Sequence, residues 1–403
     1  MELFWLEHKK LWRKKIVKIC VLLCFVYCVI FGSILSFQWF CFGSSDDYTS
    51  AFGNNFDGYT VIKDSQEYAL SFGGELTDET LQKIVSDYQQ MEADGMGEEL
   101  EKTDWQIVNS WLGTLYPELR DTSNYKTMIS YVDPDKLTGF YERRQQVLDE
   151  FLEVSGQVGA EKEFLHQIER KVEKPFRYEW VEGWSMLLGS MVADLGVVMA
   201  LFFGIVLSSL FAGEWHDNTS TLVLTTRNGW GKIALAKILT GLAFTVELFA
   251  LLAVSNVISQ LFFMGTAGWD MPIQNIKLIA VAPMNMLQAE IYEYAFVLLG
   301  AIGFAGIVMF ISAAVKNNVL TLLLSLAVVY GPMMIAEYLP YGMQKALDLI
   351  PLVGSSTDIF RTNTFRIFGK LIWSPYLLIT IPVLIGILCM PFAIKSWSRR
   401  MKA

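Results

Sequence analysis

The sequence is poor in cysteine, histidine and charge. Five cysteines occur in 403 residues and none lies between residues 42 and 388, so no disulfide can crosslink this long central part of the chain. The three histidines, His8, His166 and His216, are too widely scattered for a metal-binding cluster. Charged residues make up 18% of the chain against 53% hydrophobic residues, which is too apolar for an ordinary soluble protein. We therefore expect a membrane protein without a disulfide framework or a metal site.

Catalytic and nucleotide-binding motifs are also missing. The segment 229–232, Gly-Trp-Gly-Lys, lacks the leading glycine and the hydroxyl residue of a phosphate-binding loop. No nucleophile elbow, zinc-protease motif or pair of catalytic carboxylates stands out. We expect neither a catalytic residue nor a cofactor in this chain, and no nucleic-acid partner.

Long apolar runs are present, and they indicate the fold class. A hydrocarbon core about 30 Å thick needs roughly 20 apolar residues per helix. Six runs of suitable length occur, at 16–42, 187–211, 238–264, 292–315, 319–336 and 375–397. The pattern predicts an all-α polytopic membrane protein with six transmembrane helices. The first run exceeds the core of a signal peptide, so we expect it to remain as an anchor.

The runs divide the chain into four predicted parts. Residues 1–15 combine leucine, phenylalanine and tryptophan with a basic cluster, which favours an amphipathic helix at the cytoplasmic interface or a simple basic anchor. Residues 16–43 form the first transmembrane helix. Residues 44–183 are predicted to be a mainly α-helical extracellular domain. Residues 184–403 are predicted to be a five-helix transmembrane domain with a polar hinge at 212–237.

The distribution of charge predicts the orientation. Residues 44–183 hold 29 acidic and 13 basic residues, whereas the remainder holds 12 acidic and 19 basic ones, and the balances of −16 and +7 give the net charge of −9. Basic residues precede the first run, occupy the hinge and close the chain, so alternating spans place them all on the cytoplasmic side. Both termini are therefore expected inside, and the cysteine-free domain outside suits the plasma membrane of a bacterium.

The outward domain carries its own helix signals. Thr77 is a candidate N-cap, followed by Asp78 and Glu79 in the first turn. Asp133 and Pro134 predict the start of a helix over 137–154, and a further helix is expected over 160–172. Residues 44–75 contain short β-prone pieces that favour one small strand pair.

The hinge carries the most specific pattern in the chain. An acid, Glu214, ends one span, Asn218 and Thr219 follow, and leucines occur at Leu222 and Leu224 before the basic Arg227, Lys232 and Lys237. This order resembles the intracellular coupling region of permeases of the type-2 ABC exporter family, with Asn218 where that family usually has glycine. The resemblance implies that Glu214, Asn218, Thr219, Leu222, Leu224, Arg227 and Lys232 couple the chain to an ATPase.

The resemblance also implies partners. An ATPase subunit on a separate polypeptide would bind ATP and Mg, and a second permease, identical or different, would complete the exporter. The substrate expected is an antimicrobial peptide or a lipid-like compound. The alternative is a non-transporting membrane sensor whose extracellular domain binds a peptide and signals through the hinge.

Three polar residues interrupt the third apolar run. Glu247 lies ten residues beyond Lys237, which is about 15 Å along a helix and close to the middle of the membrane. A carboxylate at that depth needs a partner, a proton or water. Glu247, Asn256 and Gln260 are therefore candidates for a substrate pathway, and the alternative for Glu247 is a packing acid bonded to a neighbouring span. In the fourth run, Gly300, Gly303 and Gly306 predict a close helix contact.

Overall fold

The computed structural model describes residues 2–42, 66–67, 69–70, 73–96, 105–121, 126–188, 192–216, 219, 231–315, 317–354 and 362–399. Of residues 31–42, 192–195 and 399, only the backbone is described. The described part of the chain is mostly helical, and two short antiparallel strand pairs accompany the helices. The prediction of an all-α protein is therefore right for the helices and incomplete for the strands.

Five helices in the described residues are long and apolar enough to cross a membrane. They are α8 (Val192–His216), α9 (Gly231–Met264), α10 (Met286–Val315), α11 (Asn318–Ile335) and α13 (Ser374–Arg399). The predicted first span coincides with a further helix, α2 (Lys15–Phe42), which follows α1 (Glu2–Arg13) after a bend at Lys14. Helix α2 is not among the five, and most of its outer half is described by backbone alone.

The hinge is shorter than the sequence predicts. Helix α8 runs past the predicted end at Phe211 to His216, and α9 is already helical at Gly231 rather than at Ile238. The segment between the two helices therefore covers 217–230 instead of 212–237. Glu214 and Lys237 can lie inside helices because each is paired with the other (2.8 Å), so their charges do not force the chain into a solvated loop.

The insert between α2 and α8 contains four described α-helices of ten residues or more. These are α3 (Asp78–Ala93), α4 (Trp105–Leu115), α5 (Phe140–Val154) and α6 (Ala160–Glu169). Thr77 caps α3 as predicted, because its hydroxyl oxygen accepts the N–H of Thr80. Helix α4 was not predicted. Helix α6 ends at Glu169, short of the predicted 172.

The predicted start of α5 is wrong. Asp133 and Pro134 begin a single 3₁₀ turn, Pro134–Lys136, and α5 begins only at Phe140. Gly139 sits between them in the left-handed region, with φ of 73°, which favours glycine. The carboxylate of Asp78 accepts the N–H groups of Gly139 (2.7 Å) and Phe140 (2.9 Å). A residue of α3 thereby caps α5, which local sequence cannot reveal.

The insert is fastened to the loop between α9 and α10. The indole N–H of Trp111 donates to the carbonyl of Asn275 (3.0 Å), and Asn275 in turn donates to the carbonyl of Arg177 (2.9 Å). Arg144, fully buried, donates to the carbonyls of Leu278 (2.7 Å) and Ala280 (3.2 Å). One insert core, built on α3 to α5, includes Leu278 of this loop. The insert and the loop are thus packed as one body.

One strand pair closes the insert, and the other lies between α11 and α13. Strand β1 (Gly74–Glu75) pairs with β2 (Arg177–Tyr178), so the two ends of the described insert meet, and the short helix α7 (Glu182–Met186) follows. Residues 336–373 connect α11 to α13. The structure has α12 (Tyr341–Leu347) and an unpredicted hairpin, β3 (Thr364–Ile367) with β4 (Lys370–Trp373). The strand pair expected within residues 44–75 falls largely outside the described residues.

Helix α10 is at the centre of the membrane-spanning bundle. It packs between α13 and α8, and its glycines permit the close approach to α13. A Cβ atom at Gly303 would overlap the backbone of Pro382, and one at Gly306 would overlap the backbone of Gly386. Gly300 faces Leu352 instead. The glycine strip that the sequence singled out therefore forms a helix contact within this chain.

Candidate functional site

Four charged side chains from three helices meet at the base of the 217–230 segment. Glu214, in the last turn of α8, accepts hydrogen bonds from Lys237 of α9 (2.8 Å) and Lys10 of α1 (2.6 Å). Lys237 also contacts Glu7 of α1 (2.8 Å). Glu214 and Lys237 are only 4% and 2% exposed, so both charges depend on each other rather than on water. We call Glu7, Lys10, Glu214 and Lys237 the ion network.

The ion network also holds the start of the 217–230 segment. The hydroxyl of Thr219 donates to the Glu214 carboxylate, and the N–H of Thr219 donates to the Glu214 carbonyl (3.0 Å). Thr219 thus folds back over the end of α8. On the other side Lys14 donates to the hydroxyl of Ser209 (2.9 Å). The network therefore joins α1, both helices that flank the segment, and the first part of the segment.

The structure places only part of the predicted coupling set. Glu214 and Thr219 are in direct contact, and Lys232 is exposed in the first turn of α9. The side chains of Asn218, Leu222, Leu224 and Arg227 lie outside the described residues. Sequence reasoning did not name Lys10 as a partner of Glu214 or Glu7 as a partner of Lys237. In the sequence these two charges look like many surface charges, so they gave no signal. Only folding brings each of them to its partner, which lies more than 200 positions further along the chain.

The described residues leave little open space beside the ion network. The cavity beside it, lined by the four network residues together with Lys14 and Ser209, measures about 20 Å³. A space of that size holds about one water molecule. Among the described residues, this cavity has no room for a substrate, and the paired charges hold α1, α8 and α9 together.

Glu247 is bonded by the N-terminal helix. Its carboxylate accepts the indole N–H of Trp12 (3.0 Å) and lies 3.2 Å from the imidazole Nε2 of His8. The Trp12 ring also packs edge-on against Phe244, which lies one helical turn before Glu247. The side chain is 44% exposed on the protein surface. Its partners therefore come from α1, a helix that the sequence analysis did not connect with it, and not from serine, threonine or asparagine of a neighbouring span.

The other two predicted pathway residues lie elsewhere on α9. Asn256 is buried and donates to the hydroxyl of Tyr294 on α10 (2.9 Å). Gln260 is fully buried and contacts the sulfur of Met186 (3.2 Å). Nine residues of helix, about 14 Å, separate Glu247 from Asn256. The structure therefore does not bring the three candidates into one cluster.

Two buried acids were missed by the sequence analysis. Glu290 and Glu293 lie in the first two turns of α10 and are 3% and 0% exposed. Their helix also carries Tyr294, the partner of Asn256. The signal was present, because Glu293 falls inside the predicted fourth span. Glu290 was overlooked because that span was predicted to begin at Tyr292, which left this residue in the preceding loop.

The described residues contain no group of three histidines, cysteines or acids that could hold a metal ion. Cys20, Cys24 and Cys28 follow one face of α2 and are buried in the core of the helical bundle, as small packing residues would be.

Comparison with known proteins found no matching family model, no similar curated protein and no similar solved structure. The class that the architecture itself defines is a multi-pass helical membrane protein with a buried ion network between its helices.

Proposed function

We propose that the chain is the permease subunit of an ATP-binding cassette exporter of the type-2 family. The observation that carries the proposal is the ion network, which connects both helices flanking the 217–230 segment to α1. A partner that pushes on this segment would move α8, α9 and α1 together, because Glu214 and Lys237 cannot separate without exposing two buried charges to an apolar surrounding.

The proposal requires several features of the assembly. A separate ATPase subunit, with ATP and Mg bound, would contact Thr219, Lys232 and the rest of the segment, and a second permease, identical or different, would complete the transporter. The chain would cross a bacterial plasma membrane six times with both termini in the cytoplasm and residues 44–183 outside. The ion network would lie at the cytoplasmic end, where the basic residues of α1 suit the inner leaflet.

The substrate class that fits the proposal is an antimicrobial peptide or a lipid-like compound. Glu247, Asn256 and Gln260 remain the proposed contacts along its path. The half-exposed carboxylate of Glu247 lies on the surface between α9 and α1, where a cationic group could reach it. Glu247→Gln keeps the acceptor for Trp12 and removes the charge. Transport should fall while folding is retained.

Site-specific crosslinking tests the proposal. A photoreactive amino acid at Lys232, exposed beside the segment, should crosslink in cells to a polypeptide that carries an ATP-binding loop. The matched control is the same amino acid at Val154, which is 89% exposed at the end of α5 in the insert. Crosslinking of Val154 to the ATPase would contradict the proposed topology. Crosslinking of Lys232 to a histidine kinase would favour the membrane-sensor alternative.

A further inference from the structure

Glu290 in α10 is a buried acid to which neither the ion network nor the proposed substrate path gives a role. Its side chain belongs to a residue that is 3% exposed. Both oxygens of its carboxyl group are out of contact with solvent and have no hydrogen-bond partner among the described residues. An ionised carboxylate in such surroundings is strongly disfavoured unless it is paired or hydrated. Glu290 therefore needs either a counter-charge or a proton.

The polar groups near Glu290 do not supply a counter-charge. The Tyr294 hydroxyl lies beside the carboxyl group, one turn further along α10. Its oxygen accepts a hydrogen bond from the side-chain amide of Asn256 in α9 (2.9 Å). Glu293, fully buried in the same turns of α10, is a second acid. A like charge on Glu293 would oppose ionisation of Glu290 rather than stabilise it.

The helices around this end of α10 bring no cation to it. Lysine, arginine and histidine are absent from the neighbouring stretches of the bundle, which are residues 19–42 of α2, 192–215 of α8, 238–264 of α9, 318–335 of α11 and 374–394 of α13. The titratable residues that the surrounding helices contribute are acids or neutral side chains, namely Cys28 of α2, Glu182 of α7, Asp194 of α8, Tyr330 of α11 and Tyr376 of α13.

The loop and the insert do carry cations near the start of α10, but these are exposed or have other partners. Arg144 pairs with Glu169, His166 contacts Asp149, Arg177 pairs with Asp270, and Lys277 is exposed. Glu290 has no ion-pair partner among the described residues. Because its enclosed oxygens are also closed to any bound molecule, the species that can neutralise this side chain is a proton held from the time the chain folds.

We propose that Glu290 is a proton-binding site, which stays neutral at pH 7 in the folded protein and releases its proton when the packing around α10 opens. A protonated carboxyl group can donate its O–H to the second lone pair of the Tyr294 oxygen, and Asn256 connects that oxygen to α9. Loss of the proton removes the donor and leaves an enclosed negative charge, so the closed packing is favoured only while Glu290 is protonated. The proposal does not rest on the transport function.

Denaturant unfolding of the purified full-length chain in detergent, at several pH values, tests the proposal. A glutamate in the unfolded chain has released its proton above about pH 5, so between about pH 5.5 and 7 the folded chain holds one proton more. The folding equilibrium constant of the native chain should therefore fall as the pH rises, by about tenfold per pH unit relative to Glu290→Gln.

Glu290→Gln also distinguishes a neutral acid from an ionised one by the sign of its effect. The amide is neutral and has nearly the same shape as a protonated carboxyl group, so this variant should be at least as stable as the native chain at pH 7. Glu79→Gln changes an exposed acid in α3 and is the matched control, which should leave the pH dependence of unfolding unchanged.

Infrared spectroscopy of the native chain at pH 7 gives an independent measurement. The C=O stretch of a protonated carboxyl group is separate from that of a carboxylate, and it should be present in the native chain. Because Glu293 is also enclosed, a weaker band in Glu290→Gln, rather than the band itself, assigns the proton to Glu290. The proposal is overturned if the native chain lacks the band, if Glu290→Gln leaves the band or the pH dependence unchanged, or if this variant is less stable than the native chain at pH 7.

Discussion

At the scale of single residues, Glu214 makes more hydrogen bonds than any other described member of the ion network. It bonds to Lys10, Lys237 and Thr219, whereas Glu7 has Lys237 as its ion-pair partner and is 16% exposed. Removing one charge from a buried pair leaves the other uncompensated. The cost of a substitution should therefore differ sharply between the two acids.

We predict that Glu214→Gln lowers the free energy of unfolding by about 3 kcal/mol and Glu7→Gln by about 1 kcal/mol or less. Denaturant unfolding of the purified chain in detergent, followed by tryptophan fluorescence, measures both. Glu337→Gln, an exposed acid beyond α11, is the control and should have little effect. Equal losses for the two variants would contradict the larger role of Glu214 in the ion network. The double variant Glu214→Gln/Lys237→Gln should lose less than the sum of the single variants.

A second residue-scale prediction concerns pH. Burial opposes ionisation of Glu169, but hydrogen bonds from Lys174 (2.8 Å) and Arg144 (2.6 Å) outweigh it and hold the pKa of this carboxyl below its usual value of 4.5. The unfolded chain therefore binds a proton at a higher pH than the folded chain. The resulting stability is present above about pH 4.5 and is lost as the pH falls through the folded pKa.

Thermal unfolding at pH 6 and at pH 3.5 measures this contribution. The native chain should lose more stability between the two values than Glu169→Gln, which has no carboxyl to protonate. Glu169→Gln should also be less stable than the native chain at pH 6, because Arg144 is fully buried and loses a charged partner. An unchanged pH dependence in Glu169→Gln, with Glu79→Gln as the control, would contradict the linkage.

At the scale of elements, the crossing of α10 and α13 depends on the absence of side chains. Gly306 and Gly386 face each other backbone to backbone. Gly306→Ala should therefore push the helices apart and lower stability by about 2 kcal/mol, despite the helix propensity gained. Gly196→Ala in α8 is the matched control, because its Cβ would meet the Leu352 side chain at 3.9 Å, an ordinary contact.

Unfolding of both glycine variants in the same detergent distinguishes packing from propensity. Gly196→Ala should be neutral or stabilising by up to roughly 1 kcal/mol. If Gly306→Ala is as stable as Gly196→Ala, the two helices are not in the close contact described. Gly386→Ala gives an independent test from the other helix, since its Cβ would overlap the backbone of Gly303.

At the scale of the whole molecule, the orientation in the membrane has a direct test. A cysteine at Val154, introduced after replacement of the five native cysteines, should react with a membrane-impermeant maleimide in intact cells. A cysteine at Lys395, exposed near the end of α13, should react only after permeabilisation. The reason is the excess of basic residues near this end of the chain, which is expected to keep it in the cytoplasm. The reverse labelling pattern would invert the predicted topology.

Much of the architecture follows from the sequence itself. Apolar runs of about 20 residues have few stable alternatives to helices, since backbone groups must be bonded internally in a membrane. The positions of α9 to α11 and α13 were therefore predicted to within a few residues, apart from the early starts of α9 and α10. The cap at Thr77 and the glycine strip at 300–306 were likewise readable, because a hydroxyl cap and a small-residue contact are signals carried by neighbouring positions.

Only the tertiary structure decided which charges meet. Glu214 lies 204 positions from Lys10, and Glu247 lies 235 positions from Trp12, so no local pattern connects them. The ends of α8 and α9 were misplaced for the same reason, because Glu214 and Lys237 resemble loop residues until their pairing is known. Secondary structure and membrane class are local properties of this sequence, whereas its candidate site depends on long-range electrostatic pairing between helices.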